Sequence, residues 1–380
     1  MPAPLEGILV LDFTRAVAGP YCTLLLADLG ARVIKVEEPG SGDETRKWGP
    51  PFVGPASAYY LSMNRNKQSI VADLKSEAGR KLVRAIAAKA DVVIENFRPG
   101  VIERLGFGYA DLARTNPGIV YASVSGFGQT GPDRLKSGYD LIVQAMSGSM
   151  YTSASAEQKA VKVSYPVCDL FTAMFAGQAI LAALVGRNKT GQGRFIEVAL
   201  LESVLCAMSA LASGVLATGQ EPVRVGTAQH HIVPYQLFDC ADQPIMCGSP
   251  NDRLWRKFCE VLGHPEWPED PRFADNPSRV HHRDVLVPMI QQVLLTATAA
   301  EWVERMEKFD IPCGPVLSLS QALEHRQVKA RGVVVEGHDE KLGSVRWVGN
   351  PMRMEGYEPP RRVAPELGAD TAAVEKEFLG

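Results

Sequence analysis

The sequence predicts an α/β fold: a parallel sheet covered on both faces by helices, followed by a smaller middle domain of mixed α and β structure. Three observations predict it. Short, nearly unbroken apolar runs recur through the first two hundred residues. Segments of helical character separate them, and the pattern changes from about residue 226, where prolines and shorter elements take over. Continuous apolar runs of strand length suit a sheet buried on both faces, and alternation with helices makes that sheet parallel.

Residues 8–13 (Ile8-Leu9-Val10-Leu11-Asp12-Phe13) read as a buried strand. A loop containing Gly19 and Pro20 leads to a helix over 21–29, stopped by Gly30, and then to a strand over 31–37. Strand, helix and strand form one βαβ unit. Further strands are expected over 69–74, 91–95 and 119–124, with an amphipathic helix over 77–90. A long helix is expected over 169–185, a strand over 194–198 and a second long helix over 199–216. Later come strand-like pieces over 233–239 and 244–248, short helices around Trp255, Val285 and Trp302, and a tail with strands at 333–336 and 343–348. The domain boundaries read as 1–225 for the large domain, 226–325 for the small one, and 326–380 for a segment returning to the first domain or to a partner subunit.

With 380 residues, 46% of them hydrophobic, the chain has material for a substantial core. A net charge of −3 provides no basic field for nucleic acid. No apolar run reaches the roughly 20 residues a membrane helix needs. The start lacks the basic and apolar regions of a secretory signal. The seven cysteines are scattered without a CxxC pair. The expectation is a cytoplasmic protein with reduced thiols, no metal site and no permanently bound cofactor. Neither His230-His231 nor His281-His282 makes a natural metal clamp, because adjacent side chains diverge on a strand or a helix.

Several segments invite chemistry. The first βαβ unit ends in Glu37, where dinucleotide-binding folds place a ribose-binding acid, but its loop has the single glycine Gly19 instead of G-x-G-x-x-G. A structural βαβ unit is the better reading. Asn96-Phe97-Arg98-Pro99-Gly100 follows a strand end, with Arg104 and Leu105 beyond it. Arginines there would suit phosphates, although spacing alone favours an ordinary polar loop. The glycine-rich stretch 125–132 means either close ligand approach or a wide turn. Asp169 precedes an apolar helix. Taken alone it reads first as an N-cap, and second as a nucleophile kept ionised by the helix dipole.

The ordered set of segments resembles the family III CoA transferases, the formyl-CoA transferase and carnitine CoA-transferase group. The resemblance runs almost end to end. It is carried by 5–13, Ala18-Gly19-Pro20, 28–37, Gly40-Ser41-Gly42-Asp43-Glu44-Thr45-Arg46, Asn64-Arg65-Asn66-Lys67, 95–100, 126–132, Gly191-Gln192-Gly193 and Ile311-Pro312-Cys313-Gly314-Pro315-Val316. It implies a Rossmann-like large domain, a smaller middle domain and an interlocked homodimer. It also implies a nucleophile at Asp169, with acyl-CoA and carboxylic acids as substrates. CoA contacts would fall on Val17, Ala18, Ala72, Lys75, Asn96, Phe97, Arg98, Arg104, Leu105, Lys136 and Tyr139.

The resemblance has departures. A basic residue soon after the second strand in the formyl-CoA members is Glu38 here. Their glycine-rich loop over the anhydride is replaced by 226–231, so that Gly226, Thr227, Gln229, His230 and His231 would cover the site. This departure argues against oxalate and formyl groups. The segment 226–236 looks instead like the branch using succinyl-CoA with glutarate or hydroxymethylglutarate. The alternative within the superfamily is an acyl-CoA racemase, whose histidine is replaced by Tyr139, a poor base near neutrality.

Overall fold

The computed structural model describes all 380 residues, Met1–Gly380. It contains two compact units. Met1–Ser147, Val163–Ser209 and Gln327–Gly380 form the first; Gly148–Lys162 and Ala210–Arg326 form the second.

The first unit is built on six parallel strands: β1 (Leu9–Asp12), β2 (Arg32–Glu37), β3 (Gln68–Val71), β4 (Val92–Glu95), β5 (Val120–Ser125) and β6 (Arg194–Ala199). Their order is β3-β2-β1-β4-β5-β6. Successive side chains point to opposite faces. Val10, Val33, Val92, Ile94, Val120 and Ala122 therefore enter one core, and Leu11, Ile34, Ile70, Val93 and Tyr121 the other. Helices α1 (Ala18–Asp28), α2 (Ala58–Asn64), α3 (Glu77–Ala87), α4 (Asp140–Met146) and α5 (Val167–Thr190) accompany the sheet. α1 and α5 supply the first core and α3 the second. α5 is long and apolar enough to span a membrane, but here it is a core helix with Cys168, Ala173, Ala176 and Ile180 fully buried.

The predicted elements are present with shifted ends. α1 begins at Ala18 instead of residue 21, because Pro20 is tolerated in a first turn, where its missing N–H has no helical partner. α5 begins two residues before Asp169 and ends at Gly191, whose φ of 71° is the left-handed cap that glycine accommodates. The helix expected over 199–216 breaks at Met208 into Leu200–Ala207 and Ser209–Thr218. The tail strands do not extend the large sheet. Val334–Asp339 and Gly343–Val348 pair with each other as an antiparallel ribbon. The final helix, Thr371–Leu379, is tied to β3, with Asp370 accepting the Ser69 N–H at 2.8 Å.

The second unit holds a three-stranded antiparallel sheet, Tyr235–Asp239, Pro244–Gly248 and Cys313–Pro315. Its core gathers Phe238, Trp255, Phe258, Leu286, Ile290 and Trp302.

Candidate active site

All six strands of the first unit are parallel, so the loops leaving their C-terminal ends share one edge of the sheet. The strand order reverses between β1 and β4, and ligands in open α/β sheets bind in the crevice at such a reversal. The loop after β1 and the loop after β4 meet there. Asn96 accepts the Arg15 N–H at 2.9 Å and donates to the Arg15 carbonyl at 2.7 Å. The Arg15 guanidinium lies 5.1 Å from the centre of the Phe97 ring. Val17 caps α1 without a side-chain bond, and the N–H groups of Val17, Ala18 and Gly19 have no acceptor within the chain.

The chain runs from β5 through a glycine-rich loop to α4. A side chain on Gly126 would strike the Cα of Gly138 at 2.3 Å, and the reverse is equally prohibitive. Close backbone packing accounts for Gly126 and Gly138, a reason that neither reading of this loop named. Asp140, the first residue of α4, is buried. It accepts the Cys168 N–H at 2.9 Å and a bond from Gln144 Nε2 at 2.6 Å, which ties the first turn of α5 to α4.

Asp169 stands in that first turn and is not its cap: Pro166 holds the cap position. Its carboxylate is partly buried and accepts no hydrogen bond, and no cation pairs with it. Burial, reinforced by the negative charge of Asp140, pushes its carboxyl up to about 7. The sequence reading has the helix start keeping this acid ionised at neutral pH; desolvation, with no donor bonded to it, works against that.

Two residues that sequence reasoning passed over belong to this neighbourhood. Tyr59, in α2, has its phenol pushed up to about 12 by burial and by the charges of Asp169 and Asp140. Its hydroxyl lies close enough to Asp169 to feel that charge. Trp48 meets Tyr59 edge-on at 5.1 Å between ring centres. Neither lies in a motif, and Asp140 was visible only as the residue after Tyr139.

The other expected contacts distribute along the same strand ends. Ala72 is buried just past β3, donating to the Glu37 carbonyl at 3.0 Å, and Lys75 is exposed beyond it. Arg98 and Arg104 are exposed and form no ion pair, while Leu105 packs partly into the core below. Lys136 pairs with Asp133 at 2.9 Å, and Tyr139 is half-exposed. Glu37 is unavailable to any ribose. Arg46 takes both its oxygens, at 2.6 and 2.9 Å, and Ser69 and the Asp43 N–H add further bonds. Glu95 is buried without a cation, and burial pushes it up to about 7 while it accepts the Phe97 N–H at 2.8 Å.

The segment 226–231 lies in the second unit and is pinned there. Gly226 adopts a φ of 61° and donates to the Ala154 carbonyl at 3.2 Å. Thr227 is exposed. Arg283 donates to the carbonyls of Gln229 and His230 at 2.6 and 3.0 Å, and Asn276 donates to that of His231 at 2.8 Å.

Comparison with known proteins decides the family. Residues 5–371 match the description CoA-transferase family III. The chain belongs to that family. An acetyl-CoA:oxalate CoA-transferase of Acetobacter aceti is 40% identical over 99% of this chain and 96% of its own length. A human succinyl-CoA:glutarate CoA-transferase is 38% identical over 99% of this chain and 86% of its own. Among solved structures, a CaiB/BaiF family protein from Brucella suis superposes with a TM-score of 0.87 at 35% identity, covering both chains completely. This family III CoA-transferase therefore acts on acyl-CoA and carboxylate substrates. Its α/β fold, with a six-stranded parallel sheet and small antiparallel sheets, matches that architecture.

Proposed function

We propose that Asp169 is the nucleophile through which this enzyme moves CoA from one carboxylic acid to another. The observation that carries the proposal is a partly buried carboxyl with no hydrogen-bond donor and no cation, beside a protonated tyrosine and a second acid. Structural carboxylates are capped or paired; this one is left free to react.

The Asp169 carboxylate attacks the thioester carbonyl. A C–O bond forms, the C–S bond breaks, and CoA leaves as thiolate. The resulting mixed anhydride is as activated as the thioester. The thiolate then attacks the Asp169 carbonyl and expels the first acid as carboxylate. The acceptor carboxylate attacks this enzyme thioester and expels CoA thiolate, giving a second anhydride. The thiolate then attacks the acceptor's carbonyl, breaking its C–O bond to Asp169 and releasing the free carboxylate and the new acyl-CoA. Covalent catalysis divides one difficult exchange into near-isoenergetic steps. The free N–H groups at Val17 and Ala18 suit the oxyanions that develop, and the Tyr59 phenol is a further donor. The exposed cations Lys75, Arg98, Arg104 and Lys136 suit the phosphates of CoA. Asn96, Phe97 and Leu105 would frame the nucleotide, with Ala72 behind. Water must be excluded from the anhydride for it to survive until CoA attacks.

The acceptor is proposed to be a dicarboxylate. The oxalate and glutarate relatives agree in that chemistry and differ in length, so the similarity to the oxalate enzyme removes the case against oxalate made from the cover segment alone. Succinyl-CoA with glutarate or hydroxymethylglutarate is the preferred pair. An interlocked homodimer is proposed as the working assembly; sedimentation giving a single 41.2 kDa species would contradict it. A racemase is disfavoured because Tyr139 replaces the base that proton exchange requires.

The test is chemical. Incubation with succinyl-CoA followed by hydroxylamine is expected to leave a hydroxamate on the peptide containing Asp169, detected by mass. Turnover without any adduct there would overturn the assignment. A panel of oxalate, succinate, glutarate and hydroxymethylglutarate ranks the acceptors by kcat/KM.

A further inference from the structure

Beneath the loop that follows β1 lie four fully buried charges: Asp12, Lys35, Asp43 and Lys67. They come from the ends of β1 and β2 and from the segments after β2 and before β3. Lys35 pairs with Asp43 at 2.8 Å, and Lys67 approaches Asp12 at 3.5 Å. Buried ion pairs add little to stability over apolar residues of the same volume, so two pairs in one place call for another explanation.

Their hydrogen bonds supply it. Asp12 accepts the Thr14 N–H at 2.8 Å, and Lys35 donates to the Thr14 carbonyl at 2.6 Å. Asn96 holds both backbone groups of Arg15. Asp43 accepts the Ala16 N–H at 3.3 Å, and Ala16 sits at a φ of 65°, a left-handed conformation that a residue with a Cβ adopts only under constraint. Lys67 donates to the Pro20 carbonyl at 2.9 Å in the first turn of α1. Thr14 also fills the space against Gly19, where any Cβ would strike it at 2.3 Å. Every residue from 14 to 16 is thus gripped by a side chain from another segment, while the N–H groups of 17 to 19 stay unpaired.

We propose that the Lys35–Asp43 pair is a positioning device: it holds the Thr14–Ala16 segment, with Ala16 in its left-handed conformation, so that the Val17 and Ala18 N–H groups are pre-aimed at the acyl-CoA carbonyl. The proposal rests on the reading of this edge as the acyl-CoA site. Neither residue touches the substrate; both act through the loop. Preorganised donors are effective because they need no rearrangement when charge develops.

The experiment compares the full-length enzyme with the double variant Lys35→Met/Asp43→Ala, which removes one charge of each sign and leaves none unpaired. Amide hydrogen exchange of the peptide spanning 14–18 is read by mass spectrometry, alongside single-turnover acylation from succinyl-CoA. In the wild type, the amides of 14–16 are expected to be protected well beyond those of an exposed loop. In the double variant, exchange there is expected to quicken at least tenfold. Acylation should slow roughly a hundredfold at saturating succinyl-CoA, with KM changed far less, since the donors are misaimed while the binding surface remains. A folded double variant that acylates at the wild-type rate would overturn the proposal, as would slow acylation with unchanged exchange. If the double variant fails to fold, the wild-type measurement decides, because unprotected 14–16 amides are incompatible with the grip. The exchange readout needs no turnover, so failure of the Asp169 assignment is seen separately, as continued turnover in Asp169→Ala.

Discussion

Two groups of acids in the first unit respond to burial in opposite ways. Asp12, Asp43 and Glu37 are deep in the protein, yet each is held below the usual carboxylate range. Burial by itself would raise them; Lys67 and Lys35 around Asp12, Lys35 and Thr45 around Asp43, and Arg46, Lys35 and Ser69 around Glu37 reverse the outcome. Asp169 is less buried, but no cation or donor reaches it and Asp140 adds repulsion, so its carboxyl rises to about 7. The difference lies in the neighbours supplied to each acid. One group is paired with cations and donors; the other is left unsatisfied, which is the ground on which it is proposed as the nucleophile.

The contrast can be broken most severely at the unsatisfied acid. Asp169→Ala is expected to reduce CoA exchange by about four orders of magnitude or more, the scale on which removal of a covalent nucleophile acts, while equilibrium dialysis still detects CoA binding. At the structural end, Lys67→Met removes the ion-pair partner of Asp12 and leaves Lys35 facing both Asp12 and Asp43. It is expected to cost about 3–5 kcal/mol of stability, measured by urea denaturation. Asp12→Asn/Lys67→Met should recover most of that loss.

A third prediction concerns pH. Only ionised Asp169 attacks, so kcat/KM is expected to fall about tenfold per unit below a midpoint near 7. Asp140→Asn removes the repulsion and should move that midpoint toward lower pH. The stability signs are opposite in the two groups. The raised carboxyl of Asp169 contributes stability that is fully present in acid and lost as pH rises through about 7. The lowered carboxyls of Asp12, Asp43 and Glu37 contribute stability present above the usual carboxylate range and lost as pH falls below it. Asp169→Asn should therefore stabilise the protein at pH 8 by about 2 kcal/mol, roughly half the full linkage value because the carboxyl is partly solvated. It should do little at pH 4.

The smallest expected effect is at Tyr59. Tyr59→Phe removes a donor near Asp169 without removing the ring, and is expected to lower kcat about tenfold with the KM for acyl-CoA little changed. An unchanged kcat would take the phenol out of the reaction.

Much of the α/β framework was legible because both determinants are local. Apolar runs at 8–13, 91–95 and 119–124 are buried strands in any tertiary context that covers both faces, and Pro20, Gly30 and Gly191 punctuate the helices. The break at Met208 was not legible, since no glycine or proline stands beside it and the one glycine of 199–216, Gly214, lies inside the second helix. The tail strands were recognised as strands, but their pairing with each other depends on register across the turn between them, not on any one residue. At the site, Asp169 was singled out by the resemblance, whereas its surroundings were not legible: that no donor bonds to it and that Asp140 stands close depend on residues apart in the chain.

By itself the sequence determined the order of strands and helices, the family, and the residue types available for acyl transfer, because periodicity, glycine and proline placement and short motifs are properties of neighbours along the chain. Tertiary structure alone decided that the sheet order reverses between β1 and β4, that Asp140 and Tyr59 stand near Asp169, and that Lys35 and Asp43 reach the loop after β1. Those facts depend on distances between residues far apart in the chain. The energy of a charge is set by what surrounds it in space, which no local pattern records.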